Sequence, residues 1–154
     1  MATLNVSITE SVTINGKDQG GTYSGFTNAS ITQVEKRQIN VTTTEVTLYA
    51  AEDAMASGTG GPIWDDDSVK YVRITNLAAN SNHIIIVLRN QDNDEFLYKL
   101  FGTESLLLYR HNSAFHAKEG ATAIGDVQSI DLVTAQAVSS TQAVELFIAS
   151  TDAA

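Results

Sequence analysis

Asp65, Asp66 and Asp67 form the densest group of potential metal ligands in the chain. A hard cation such as Ca²⁺ gathers several carboxylate oxygens. Three consecutive residues of an extended segment point to alternating sides, however, so they do not converge on one ion. No Asp-x-Asp-x-Asp-Gly loop frames them, and Asp92-x-Asp94 with Glu95 is equally incomplete. Acidic turns at strand ends are the better reading of both. His111 and His116 stand five apart, whereas a zinc-protease helix needs its histidines four apart with a Glu between. A third ligand would have to come from His83 or from a second chain, so structural or solvated histidines are the simpler reading.

Nucleophilic chemistry is no better marked. A hydrolase needs a nucleophile, a base and an orienting group, and no Gly-x-Ser-x-Gly elbow selects one serine. The Gly58–Gly61 stretch lacks the Lys-Ser/Thr that completes a phosphate loop. Eighteen acidic residues single out no pair for glycoside cleavage. Trp64, Tyr71, Tyr98, Phe101 and Tyr109 could stack on sugars, but aromatics inside strand-like runs are usually core. Trp64, in a loop beside three aspartates, is the one candidate sugar platform. The residues point to no catalytic set, no cofactor and no metal site.

The elements that would carry any such groups are strands. The clearest pattern lies at 69–109, where apolar runs at 69–74, 84–88, 96–101 and 106–109 are separated by turn-forming segments. This predicts a central β-meander. In its third run Phe96, Tyr98 and Leu100 point one way and Leu97, Lys99 and Phe101 the other. The second run, Ile84-Ile85-Ile86-Val87-Leu88, is apolar on both faces. It is therefore either a central strand of a two-layer core or a strand whose second face is covered by a partner. Those five residues and Trp64 are the candidate partner contacts.

Before this stretch, Leu4, Val6, Ile8, Val12 and Ile14 keep a period of two, and Asn15-Gly16 is a strong hairpin turn. Gly20, Gly21 and Gly25 suggest a loose segment, so residues 1–25 read as a possible extended N-terminal arm that orders on a neighbouring subunit. Strands are expected at 31–41 and 45–49, with Glu35, Lys36 and Arg37 marking a solvated or edge strand. A short helical turn is expected at 50–56 and a polar loop at 110–122, with further strands at 127–134 and 143–150. The fold class is all-β: one antiparallel β-sandwich, jelly-roll-like, spanning residues 1–154.

Composition narrows the partners. The chain has 154 residues, 43% of them hydrophobic and 18% charged, which suits a globular domain that buries roughly 70% of its unfolded surface. A net charge of −9 argues against a sequence-independent nucleic-acid binder. The absence of cysteine excludes disulfides and Cys-based zinc sites and suits a reducing cytoplasm. The first residues carry no basic region followed by an apolar run, and the 84–88 run is far too short to span a bilayer, so neither export by a signal peptide nor a membrane partner is expected.

Four stretches carry a resemblance: Gln33-Val34-Glu35-Lys36-Arg37-Gln38-Ile39, Val69-Lys70-Tyr71-Val72-Arg73-Ile74-Thr75-Asn76-Leu77, Glu95-Phe96-Leu97-Tyr98-Lys99-Leu100 and Ala143-Val144-Glu145-Leu146-Phe147-Ile148-Ala149-Ser150. Together they resemble small virion structural proteins of tailed bacteriophages, particularly marine and cyanobacterial ones. The resemblance lies in strand patterns rather than chemical motifs. It implies a β-sandwich or jelly-roll module serving as capsid cement (decoration), head fibre or tail component, made in the host cytoplasm and carried on the virion. It also implies the major capsid protein as partner, a homo-oligomer for which a trimer is the first expectation, and no catalytic residue to transfer. A carbohydrate-binding or adhesin-like sandwich is the reading of a different class, resting on Trp64.

Overall fold

The computed structural model describes residues 2–51, 63–64, 68–79, 82–90, 93–109 and 130–151. Regular structure among them is entirely strand: β1 (Ala2–Glu10), β2 (Thr13–Ile14), β3 (Lys17–Asp18), β4 (Gly21–Ile31), β5 (Gln33–Val41), β6 (Val46–Ala51), β7 (Ile63–Trp64), β8 (Val69–Asn76), β9 (His83–Asn90), β10 (Glu95–Phe101), β11 (Ser105–Tyr109), β12 (Ile130–Ala137) and β13 (Gln142–Ser150). The expected strands at 31–41, 45–49, 127–134 and 143–150 correspond to β5, β6, β12 and β13. The helical turn expected at 50–56 begins instead as the end of β6, and residues 52–56, 127–129 and the loop 110–122 lie outside the described residues.

The frame follows one rule of pairing. β9 pairs with β10, β8 with β11, β6 with β12 and β5 with β13, each antiparallel and each nested inside the next. The chain is thus one long hairpin, rolled so that successive pairs fall alternately in two sheets. Pairing of β9 with β12 and of β8 with β13 knits each sheet together. The results are a five-stranded sheet, β10-β9-β12-β6-β7, and a four-stranded sheet, β11-β8-β13-β5. This is the jelly-roll arrangement of a β-sandwich.

The strands of the 69–109 stretch all form, but they do not make a continuous meander. β9 and β10 are a hairpin in one sheet; β8 and β11 pair in the other. Each connecting turn outside the hairpin crosses the sandwich, about 10 Å, and turn composition does not distinguish crossing from folding back.

Period-two patterning explains the core. Ile84, Ile86 and Leu88 of β9, Leu100 of β10 and Val133 and Ala135 of β12 turn inward from one sheet. Val72 and Ile74 of β8 with Val144, Leu146 and Ile148 of β13 meet them from the other, all buried in one cluster. The clustered charges mark an edge as expected, since among the described residues β5 pairs with β13 alone. Lys36 faces out, while the Arg37 guanidinium reaches the Leu48 carbonyl at 2.6 Å across the open side of the sandwich.

The N-terminal segment departs from a loose arm. Despite its glycines, residues 21–31 form β4, which pairs with β1 through two register irregularities. Thr, Tyr and Phe supply strand-forming side chains, and β1 supplies the partner. The β1–β4 ribbon lies on the outer face of this chain's own four-stranded sheet, where Leu4, Val6 and Phe26 join Ile31, Tyr71, Leu107, Phe147 and Ala149 in a second, smaller core. Its tip is the β2–β3 hairpin, turned at Asn15 (φ 52°) and Gly16 (φ 76°) as the dipeptide predicts.

Candidate interaction surfaces

The candidate contacts separate into two groups once the fold is known. Ile84, Ile86 and Leu88 fill the chain's own inter-sheet core. Ile85 and Val87 point to the outer face of the five-stranded sheet, where Val87 lies beside Thr134 on β12 and Leu97 on β10. β9 is central in its sheet, flanked by β10 and β12, and on its outer side Val87 is buried and Ile85 half-buried. Trp64 is 3% exposed, set in β7 beside Ala51 of β6. It joins the main core, so its ring is not a platform on the surface.

Among the described strands, β10 presents the most large apolar side chains to the surface. Phe96 is 51% exposed, Leu97 59%, Tyr98 38% and Phe101 42%, whereas Leu100 is fully buried. Phe96 and Tyr98 share the inward side with Leu88 and Ile86, as their cross-strand pairing requires, yet they lie at the open margin of the sandwich. Leu97 sits on the outer side, with Lys99 and Phe101 along the same row. Lys99 Nζ stands 4.8 Å from the Phe101 ring centre, and the His83 ring packs 5.4 Å from the same ring. Part of the signal was in the sequence: 96–101 carries large apolar side chains on both faces, interrupted on one by Lys99. What differs most is position in the sheet, since among the described residues β10 pairs only with β9.

Two buried amides fix this strand at its ends. In the β9–β10 turn the Asn90 side chain accepts from the Asp94 backbone N–H (2.8 Å) and donates to the Asp94 carboxylate (3.1 Å), while Asn93 takes φ 62°. At the other end, Asn76 of β8 donates from Nδ2 to the Leu100 carbonyl (3.2 Å), tying the two sheets together. These bonds anchor both ends of β10.

Two charged clusters flank the surface. On the outer face of the five-stranded sheet, Arg89 donates to Glu45 (2.5 Å) and Glu95 (2.7 Å), and the Thr134 hydroxyl also donates to Glu45 (2.5 Å). The Arg89 bond, then the Thr134 bond, hold the Glu45 carboxyl below the usual carboxylate range. On the outer face of the other sheet, Glu145 bridges Lys36 (3.0 Å) and Arg73 (2.5 Å), which lower its pKa, Lys36 most. Arg73 also lies over the Phe147 ring at 5.5 Å. Between this patch and β1 runs an open cleft of about 290 Å³, lined by Leu4, Val6, Tyr71, Arg73 and Phe147 among others.

These clusters are ion pairs between strands, and no cluster of three or more potential metal ligands occurs among the described residues. Asp65, Asp66, Asp67, Asp92, His111, His116 and the 58–61 loop lie outside the described residues. No helix among the described residues is long and apolar enough to cross a membrane.

No protein-family model matches the chain, and no curated protein or solved structure is significantly similar to it.

Proposed function

We propose that this chain is a structural protein of a tailed-phage virion, a capsid cement or decoration protein that binds the outside of the shell. The observation that carries the reading is the jelly roll with an apolar strand at its margin: Phe96, Leu97, Tyr98 and Phe101 make β10 the densest group of exposed large apolar side chains among the described residues. Jelly rolls recur as capsid modules, though also as lectins, and a fold alone does not define a function. The resemblance of four strand stretches to phage virion proteins tips the choice. The mechanism is stapling: each copy sets apolar strand surface against its siblings and against the major capsid protein. Many modest contacts around a closed shell add avidity, and the stapled shell resists internal pressure from the packaged genome.

A tail, head-fibre or baseplate component would use the same surface, and copy number separates these readings. The carbohydrate-binding alternative loses its anchor, because Trp64 is buried. Quantitative mass spectrometry of purified particles is the test. A copy number comparable to the major capsid protein is expected. A few to a few dozen copies would move the protein to the tail or fibres, and absence from particles would overturn the virion reading.

A further inference from the structure

Among the described residues β10 has no strand beside its second edge; that edge is self-complementary, and we infer that two copies of this chain pair through it, strand to antiparallel strand, about a two-fold axis at Leu97. The inference rests on the strand's own geometry and does not depend on the virion reading.

The pairing of β10 with β9 determines which backbone groups face outward. The ladder is bracketed by two hydrogen bonds, Asn90 N–H to the Asp94 carbonyl (3.3 Å) and Gly102 N–H to the Asn82 carbonyl (3.1 Å), and has no irregularity between. Antiparallel partners alternate between bonded and non-bonded pairs. Phe96, Tyr98 and Leu100 therefore turn their N–H and C=O groups toward β9, and Glu95, Leu97 and Lys99 turn theirs to the open edge. Phe101 closes the far end, since its N–H donates to the Glu104 carboxylate (3.0 Å) and its carbonyl accepts from Glu104 N–H (3.2 Å). The open edge is a short template of three outward-facing residues.

A two-fold axis at Leu97 sets Glu95 opposite the second copy's Lys99, Phe96 opposite its Tyr98 and Leu97 opposite its Leu97. All the outward-facing residues then exchange backbone hydrogen bonds, about six in total. Both charges meet opposite charges on one face, and the half-exposed Phe96 and Tyr98 cover each other on the other. Neighbouring registers lose this. An axis at Tyr98 sets Leu97 against Lys99 and Phe96 against the buried Leu100; an axis at Phe96 sets Glu95 against Leu97. Lysine on an edge strand ordinarily discourages pairing, but in this register it faces a carboxylate. The two five-stranded sheets would run on as one sheet of ten. A contact of this length belongs to the small, reversible class, below about 1,200 Å² of total buried area, so the dimer is concentration-dependent.

Sedimentation equilibrium of the full chain across a wide concentration series tests the pairing. A monomer–dimer equilibrium is expected. Lys99→Glu, which sets like charges against Glu95 at both symmetric positions, should raise the dimer dissociation constant about tenfold. The double exchange Glu95→Lys with Lys99→Glu should bring it back toward the starting value. Leu97→Pro removes an N–H that points away from β9, so it should abolish dimerisation while circular dichroism and the melting temperature stay near those of the parent. A chain that remains monomeric throughout, a trimer, or a dimer insensitive to Lys99→Glu and Leu97→Pro would overturn the inference. So would failure of the double exchange to restore what Lys99→Glu removes.

Discussion

Thr103 has φ 69°, in the left-handed region that a β-branched residue enters at a cost. It stays there because its N–H donates to the Asn76 carbonyl at 2.8 Å, fastening the turn between β10 and β11. Glycine keeps that bond without the steric conflict. Thr103→Gly should therefore stabilise the fold by about 1 kcal/mol, seen as a melting-temperature rise of about 2–4 °C. The carboxylates give a second expectation at this scale. Glu45 is held below the ordinary glutamate pKa by Arg89 and Thr134, and Glu145 by Lys36 and Arg73. Their stabilising effect is present above the unfolded pKa and is lost as pH falls through the folded one. The melting temperature should fall as the medium is acidified below about pH 5, and in Glu45→Gln that fall should be smaller. An equal fall in the variant would count against the Arg89–Glu45 pairing as its source.

Among the elements, the β1–β4 ribbon is separable from the sandwich in a way that can be tested. A Cβ at Gly20 would stand 2.0 Å from the Glu10 carbonyl oxygen, a backbone atom that cannot swing aside. Gly20→Ala should pry apart the start of β4 from the end of β1. Faster amide hydrogen exchange is expected across residues 2–31, with exchange in β9 and β12 unchanged. Uniformly faster exchange would mean that ribbon and sandwich unfold together. The same scale explains what could be read from the residues alone. The faces of β10 were legible, because Phe96, Tyr98 and Leu100 alternate with Leu97, Lys99 and Phe101. The edge position of β5 was legible from its three consecutive charged residues. The surface roles of β9 and β10 were not. Two runs with apolar side chains on both faces end in different surroundings because the sheet gives them different neighbours, and β12, the second neighbour of β9, lies far away in sequence. Trp64 fails for the same reason: beside three aspartates it reads as a loop aromatic, yet pairing of β7 with β6 takes it into the core. β4 was missed because its glycines argue for a loop and its partner β1 is what makes it a strand.

For the whole molecule, the nested pairing has kinetic weight. β5 pairs with β13 and β6 with β12, contacts between residues 101–117 and 82–89 positions apart. Closing such loops precedes any reward from the contacts they allow. Refolding from denaturant should be slow for a chain of this size, in milliseconds to seconds. Stopped-flow fluorescence of Trp64, buried against the sandwich, would follow it; a microsecond phase accounting for the full amplitude would contradict the expectation.

The place of β13 between β8 and β5 has a consequence for synthesis on the ribosome. Both neighbours are made earlier, and both wait for a strand translated after every other strand described. Until it arrives, the inward side chains of β5 and β8 face an incomplete sheet, and a nascent chain halted before residue 142 holds two strand edges without their mate. Such a chain is a natural target for chaperones and a hazard for its neighbours on a crowded polysome. Premature stops upstream of β13 should therefore give aggregates rather than a smaller folded domain.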